Sequence, residues 1–224
     1  MHVATQLEDL ACLAGHFRAA PLLRRLFVYG RYFIVPWDAI LWAVGRPDSL
    51  LDLGCGDGLF LRLLRKRSPD TECFGIDHDA ARIATARRIN RDAQVHFSTV
   101  EELRSAALGS PRVSVVSILD VLYAVPEAEW GSILELAREL LLPDGKLVIK
   151  DAVDRPRWKH AVTTAQEIGA TRVLRYTKGA WPRFLSPEAF VARLAEHGFT
   201  VIEHRPLDRG YPWSHYLFIA TRNG

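Results

Sequence analysis

Leu50-Leu51-Asp52-Leu53-Gly54-Cys55-Gly56-Asp57-Gly58 decides how the rest of the chain is read. Branched apolar residues around a single acid read as a parallel strand buried on both faces. Glycine at positions 54, 56 and 58 then reads as a tight turn leaving the strand's carboxyl end. The next run, Leu59-Phe60-Leu61-Arg62-Leu63-Leu64-Arg65-Lys66-Arg67, becomes basic toward its end, as a helix C-terminus favours. Strand, glycine turn and helix N-terminus together predict a nucleotide-type cofactor site. A dinucleotide turn needs the spacing G-x-G-x-x-G. Here Gly58 comes one residue early and Leu59 stands where the third glycine belongs, which argues against a nicotinamide dehydrogenase.

The spacing present, Asp52-x-Gly54-x-Gly56-x-Gly58, resembles the first motif of the class I S-adenosylmethionine-dependent methyltransferases. A second match lies further on. Cys73-Phe74-Gly75-Ile76 reads as a short strand ending at Asp77, an acid roughly twenty residues past the turn, where a ribose hydroxyl pair is held. Asp79 fits the cap of the following helix better than Asp77 does, leaving Asp77 for the ribose. A third strand, Gln94-Val95-His96-Phe97, leads to Thr99, where the family usually carries an aspartate for the adenine amino group, and to Val100, whose backbone amide could meet the ring. Arg112 to Leu119 reads as a fourth buried strand running into Asp120-Val121-Leu122-Tyr123, which resembles the family's fourth motif. Leu140 to Ile149 resembles its strand-five segment, with a helix pattern over 127–142, a turn at Pro143-Asp144-Gly145 and a strand at 146–150. Phe199 to Glu203 and His215 to Thr221 read as two strands joined without a helix, hence an antiparallel edge pair. The resemblance implies an α/β, Rossmann-like, doubly wound seven-stranded sheet. It would be mostly parallel, with an antiparallel C-terminal strand and the order 3-2-1-4-5-7-6.

Composition agrees with one sizeable globular core: 224 residues, 49% hydrophobic and 25% charged. The net charge of +3 is mild and its basic residues are scattered, which weighs against nucleic acid. The N/D-P-P-Y form of amino methyltransferases acting on bases is absent, so a nucleic-acid methyltransferase is the weaker alternative. Cys12, Cys55 and Cys73 form no CxxC pair, so neither a disulfide framework nor a structural metal site is expected. Reduced cysteines, and Glu8 and Asp9 where a signal peptide would be basic, predict a cytoplasmic protein. The most apolar stretch, Leu26 to Val44, is interrupted by Arg31, Pro36 and Asp38 and reads as no membrane span.

Outside the core, residues 3–30 show apolar residues at helical spacing with Arg18, Arg24, Arg25 and Arg31 on the polar side. This reads as an N-terminal helical cap or lid over 1–47 on a cofactor domain over 48–224. A basic amphipathic surface making peripheral membrane contact is the other reading. Ser186-Pro187-Glu188 predicts a helix start, and Gly198 its stop.

The resemblance implies S-adenosylmethionine as donor, with S-adenosylhomocysteine as product. Its candidate contacts are Asp52, Gly54, Cys55, Gly56, Gly58, Asp77, His78, Thr99, Val100 and Asp120; for His78, solvated surface is an equal reading. Methyl transfer from a sulfonium mainly needs alignment and exclusion of water. A base is needed only for a poorly acidic acceptor. Candidate bases are His160, His215 and Tyr123, each with a core or surface role as its alternative. Tyr123, Asp154, Arg157, Trp158 and Trp181 are candidate acceptor contacts, and the segment Arg155-Pro156-Arg157-Trp158-Lys159 is similar to one in some bacterial lipid and secondary-metabolite methyltransferases. The expected acceptor is small, partly apolar and methylated at oxygen, carbon or nitrogen. The competing reading is a catalytically silent relative that binds the cofactor as a partner or regulatory subunit. The sequence specifies no oligomeric state.

Overall fold

Alternating apolar runs and amphipathic segments do become alternating strands and helices. The computed structural model describes residues 3–105, 111–156, 159 and 184–223. Three helices come first: α1 (Val3–His16), α2 (Leu22–Ile34) and α3 (Trp37–Val44), separated by a 3-10 turn at Phe17–Ala19 and by Pro36. Then follow β1 (Ser49–Leu53), α4 (Leu59–Arg67), β2 (Glu72–Asp77), α5 (Ala80–Ile89), β3 (Val95–Thr99), α6 (Val100–Ser105) and β4 (Val113–Leu119). The remainder is α7 (Trp130–Leu140), β5 (Leu141–Asp151), α8 (Pro187–Glu196), β6 (Phe199–Pro206) and β7 (Tyr216–Arg222).

The seven strands form one sheet in the order β3-β2-β1-β4-β5-β7-β6, the order expected of a Rossmann-like methyltransferase sheet. β2 pairs parallel with β1 and with β3. β7 pairs antiparallel with both β5 and β6, so the chain's last strand sits inside the sheet and β6 forms its edge. β1 is buried along four of its five residues, as a strand covered on both faces must be.

Two boundaries differ from expectation. The helix ahead of β5 begins at Trp130, after a 3-10 turn at Glu127–Glu129, and ends at Leu140. Pro143-Asp144-Gly145 lies within β5, which starts at Leu141. Pro143 and Asp144 are exposed, Gly145 is buried, and pairing with β7 begins only at Lys146, so no ladder donor is needed at the proline.

The chain divides into two compact units, residues 1–115 and 116–224. In the first, the N-terminal helices are tied to α4 by buried charge. Asp9 is 1% exposed, accepts from Tyr32 Oη at 3.1 Å, and pairs with Lys66 Nζ at 2.8 Å and Arg67 at 3.3 Å. Arg67 also meets Asp38 at 2.5 Å, and Trp37 stacks on Phe60. A carboxylate this deep is tolerable only with such partners. In the second unit, Phe190 of α8 stacks on Phe218 of β7 at 4.2 Å between ring centroids and packs against Trp130 of α7.

Candidate functional site

In the first unit the chemistry collects at the carboxyl ends of β1, β2 and β3. β1 delivers Asp52, 3% exposed and in register with Gly75 of β2, and then the glycine turn. The Gly54 and Cys55 N–H groups donate to Ile76 O at 2.7 and 3.1 Å, which straps the turn to β2. Gly54, Gly56 and Gly58 all have positive φ, at +83°, +56° and +83°. Each would be strained with a side chain, so these three positions of the turn stay bare of Cβ atoms. A Cβ at Gly58 would lie 2.7 Å from Phe97 Cζ, and one at Gly75 would lie 2.6 Å from Phe97 Cδ1. The Phe97 ring thus lies against both the N-cap of α4 and the middle of β2. In the sequence Phe97 reads only as the last residue of a strand, and its role follows from two glycines more than twenty residues away.

Asp77 ends β2 with both carboxylate oxygens directed by backbone. Oδ2 accepts from Gly56 N at 2.8 Å and Oδ1 from Asp79 N at 2.9 Å. Burial pushes its pKa up, but hydrogen bonds from His78, Asp79 N–H and Gly56 N–H outweigh burial and hold it below the ordinary carboxylate value. The His78 ring lies with Nδ1 3.3 Å from Asp77 Oδ1, on a side chain that is 70% exposed, and that contact raises the imidazole pKa. Asp79 caps α5 as expected, its side chain accepting from Ala81 N and Arg82 N. Each Asp77 oxygen keeps a second lone pair, so a vicinal hydroxyl pair fits this carboxylate once the exposed imidazole swings aside.

Thr99 ends β3 and caps the helix that follows. Its hydroxyl accepts from Glu102 N at 3.1 Å while Glu102 Oε2 accepts from Thr99 N at 2.9 Å, a reciprocal cap that starts α6 at Val100. Cys55 is 8% exposed, and burial, with Asp52, Asp77 and Asp57 nearby, pushes its thiol well above the usual value. That thiol stays protonated and offers no nucleophile. Sequence reading missed Asp57, 6% exposed, whose Oδ2 meets Arg24 of α2 at 3.5 Å and whose Oδ1 is buried with no hydrogen-bond partner. Burial raises its pKa against the pull of Arg24 and Arg82.

In the second unit the carboxyl ends of β4 and β5 and the start of β7 hold a second cluster. Asp120 follows β4 at φ +59°, uncommon for a residue with a side chain. Its N–H donates to Lys150 O at 2.8 Å and its carboxylate pairs with the Lys150 ammonium, which is 1% exposed. Asp151 is fully buried, with Oδ2 accepting from Leu122 N at 3.0 Å and Oδ1 from Ala152 N at 2.8 Å. Burial first, then Asp120, pushes its pKa up to about 7. With both oxygens committed to backbone, Asp151 braces the turn after β4, and Trp130 Nε1 fixes the same turn by donating to Leu122 O at 2.9 Å. Two charged residues directly after the apolar run Leu147-Val148-Ile149 were the available sequence signal for this pair.

That turn carries Tyr123, half-buried, its ring stacked on Phe184 at 5.7 Å. His215 is 6% exposed, edge-on to Tyr211 at 5.4 Å, and sits just past the register pair Asp151–Tyr216, hence at the carboxyl end of β5. Asp154, half-buried, donates its N–H to Leu185 O at 3.1 Å and lies 3.8 Å from Arg155 Nε. Lys159 is engaged by Asp208 Oδ2 at 3.0 Å. Arg157, Trp158, His160 and Trp181 lie outside the described residues. Among the described residues no group of three or more histidine, cysteine, aspartate or glutamate side chains could hold a metal ion.

A sheet of this order, with a glycine turn on its first strand and a backbone-held acid ending its second, defines the class I S-adenosylmethionine-dependent methyltransferase fold. A methyltransferase-domain family model matches residues 29–204, and the chain belongs to that family. Trans-aconitate 2-methyltransferase of Yersinia pseudotuberculosis is 27% identical over 165 residues, covering 65% of this chain and 58% of the relative. The dTDP-3-amino-3,6-dideoxy-alpha-D-glucopyranose N,N-dimethyltransferase of Streptomyces fradiae is 35% identical over 107 residues, covering 47% of this chain and 40% of the relative. The chain therefore spans about half the length of the curated relatives it matches. Among solved structures, human N-acetylserotonin methyltransferase in complex with S-adenosylmethionine shares the fold with a TM-score of 0.64, at 17% identity over 85% of this chain and 52% of that one. No helix among the described residues is long and apolar enough to cross a membrane.

Proposed function

We propose that this protein transfers a methyl group from S-adenosylmethionine to a small acceptor, partly apolar and lipid-like or of natural-product type, at oxygen, carbon or nitrogen. The observation that carries the reading is Asp77, whose carboxylate is oriented by Gly56 N–H and Asp79 N–H beside a turn with three positive-φ glycines. When bound, the cofactor supplies a methyl group already activated by its sulfonium.

The chain's residues divide the remaining tasks. Asp52 and the Gly54–Gly58 turn hold the methionine end, the positive-φ glycines letting backbone N–H groups come close. Asp77 accepts from both ribose hydroxyls, and Val100 offers backbone to the ring. Thr99 contributes by fixing the start of α6, through its cap with Glu102. Tyr123 and His215 are the described candidates to orient the acceptor or take its proton, with His160, Arg157, Trp158, Asp154 and Trp181 alongside. Asp120 and Asp151 hold the turn that carries Tyr123. No protein nucleophile is required, in keeping with the protonated Cys55 thiol.

The relatives named above act on trans-aconitate and on the nitrogen of an amino sugar nucleotide, so organic acids and amines head an acceptor panel. Calorimetry with S-adenosylmethionine tests the donor site, and mass spectrometry of the panel tests turnover. Asp77→Ala should weaken donor binding by at least about tenfold, since hydrogen bonds to a charged acceptor contribute about 1.5–3 kcal/mol each. Undiminished binding by that variant removes the site assignment. Tight donor binding without turnover of any acceptor would favour the silent partner instead.

A further inference from the structure

Eight large apolar side chains stand exposed among the described residues, and six of them, Leu7, Leu22, Leu23, Leu26, Phe33 and Trp42, precede residue 45. Four of the six lie on α2. Leu22, Leu23, Leu26 and Phe33 are 66%, 74%, 58% and 58% exposed. At about 100° per residue these positions, with Gly30, fall within a single arc of about 100° along the helix. The opposite side of α2 is the buried one, carrying Val28 and Tyr32 at 1% and 3% exposure. The helix therefore has two apolar faces, of which the protein covers one. Nothing lies within 4 Å of the Cβ position of Gly30, so the outer stripe is open along its middle.

Charge selects the occupant. Residues 3–34 contain two acids, Glu8 and Asp9, and both are matched by Lys66 and Arg67 of α4. The same stretch contains four arginines, Arg18, Arg24, Arg25 and Arg31, of which Arg24 pairs with Asp57, and α2 itself has no acid. His16 adds no charge at neutral pH, because burial pushes its pKa down to about 4. A second copy docking on this stripe would bring Arg25 and Arg31 against the same arginines of the other copy with no acid of α2 between them, a repulsive arrangement. On α2, Arg25 lies about 60° beyond the stripe on one side and Arg31 about 80° beyond it on the other, whereas Arg24 faces the buried side. An apolar stripe whose charged flanks are both cationic matches a surface of acyl chains beneath anionic headgroups.

We propose that α2 lies along an anionic phospholipid surface, with Leu22, Leu23, Leu26 and Phe33 inserted and the neighbouring arginines at the headgroups. This stands apart from the nature of the acceptor and holds for either an active or a silent methyltransferase domain.

Co-sedimentation of the whole protein with phosphatidylcholine vesicles, with and without phosphatidylglycerol, tests it. Wild type should pellet with the anionic vesicles and bind roughly tenfold more weakly to the neutral ones, with binding falling as salt rises. Leu26→Glu/Phe33→Glu should lose at least about tenfold in vesicle affinity. Both side chains are exposed, so the thermal midpoint should stay unchanged, which separates lost docking from lost fold. Arg18→Glu/Arg25→Glu should lose the preference for phosphatidylglycerol. Absence of wild-type binding to anionic vesicles overturns the proposal, as does full binding by the Leu26/Phe33 variant. A dimer that the same double substitution dissociates would instead give the stripe to a second copy.

Discussion

Asp77 and His78 share one contact and make competing demands on it. The imidazole gains a hydrogen bond from staying on Asp77, while the ribose reading needs that oxygen available. His78 has a raised pKa, so the contact is fully present below about 6.5 and is lost as pH rises through the raised value. Binding of S-adenosylhomocysteine should therefore tighten between pH 6 and pH 8. The gain should be about two- to fivefold, kept small because the ring is exposed and screened. His78→Ala should bind more tightly than wild type at pH 6 and show a flatter profile. Titration calorimetry of both proteins at the two pH values reads this directly, and parallel profiles would remove His78 from the site. Sequence alone named both residues, because an acid at a strand end and its successor are local features. Their antagonism was not visible there, since it depends on where an exposed ring comes to rest.

At the scale of elements, β3 reaches into the glycine turn through Phe97. Its ring occupies the space that side chains at Gly58 and Gly75 would need, and Cys55 Sγ stands 2.9 Å from the Gly75 Cβ position. Gly75→Ala must displace both Phe97 and Cys55, which should cost about 1–3 kcal/mol in urea unfolding. Because Cys55 belongs to the turn, donor affinity should fall as well. Gly75→Ala/Phe97→Leu should recover part of both losses; a double variant no better than the single one would show the ring is not the obstacle. Strands and helices were legible because each is written in a local period, and Ser186, Pro187 and Gly198 marked the bounds of α8 correctly. The buried partnership of Asp9 with Lys66 and Arg67 was not legible, because more than fifty residues separate the charges and either end alone reads as solvated surface. The start of β5 was misread for a related reason: Pro143 and Gly145 are turn residues in isolation, and they fall within β5 only in the stretch ahead of Lys146, where pairing with β7 begins.

For the molecule as a whole, Asp151 should leave a mark on stability. Its folded pKa is near 7 against an ordinary value of 3.8, so the folded chain holds this proton more tightly than the unfolded one. The sign follows: between about pH 4 and 7 this group makes stability fall as pH rises, and above that window its cost is constant. Each unit of displacement corresponds to about 1.4 kcal/mol. Asp57, raised by burial, acts in the same sense, whereas His16, lowered to about 4, favours folding as pH rises through the same window. The comparison must therefore be between wild type and Asp151→Asn. Wild type should gain stability relative to the variant when urea unfolding is moved from pH 8 to pH 5, and an unchanged difference would show Asp151 already ionised in the fold. The overall sheet was readable from the alternation of its segments and from the first glycine motif, but this buried acid was not, because its environment is assembled from β5, the turn after β4 and α7.

The position of β7 between β5 and β6 has a consequence for the order of assembly. β6 leaves the ribosome first yet has no place in the sheet until residues 216–222 arrive, since its ladder partner is β7 alone. One edge of the sheet must wait for a strand made later, with Phe199 to Pro206 standing by as an unpaired, half-apolar ribbon. The closing pairing from Lys146–Thr221 to Asp151–Tyr216 spans the whole of α8 and β6, a long loop to close before any contact rewards it. During synthesis, the stretch that finishes the sheet is also the one that releases β6 from exposure.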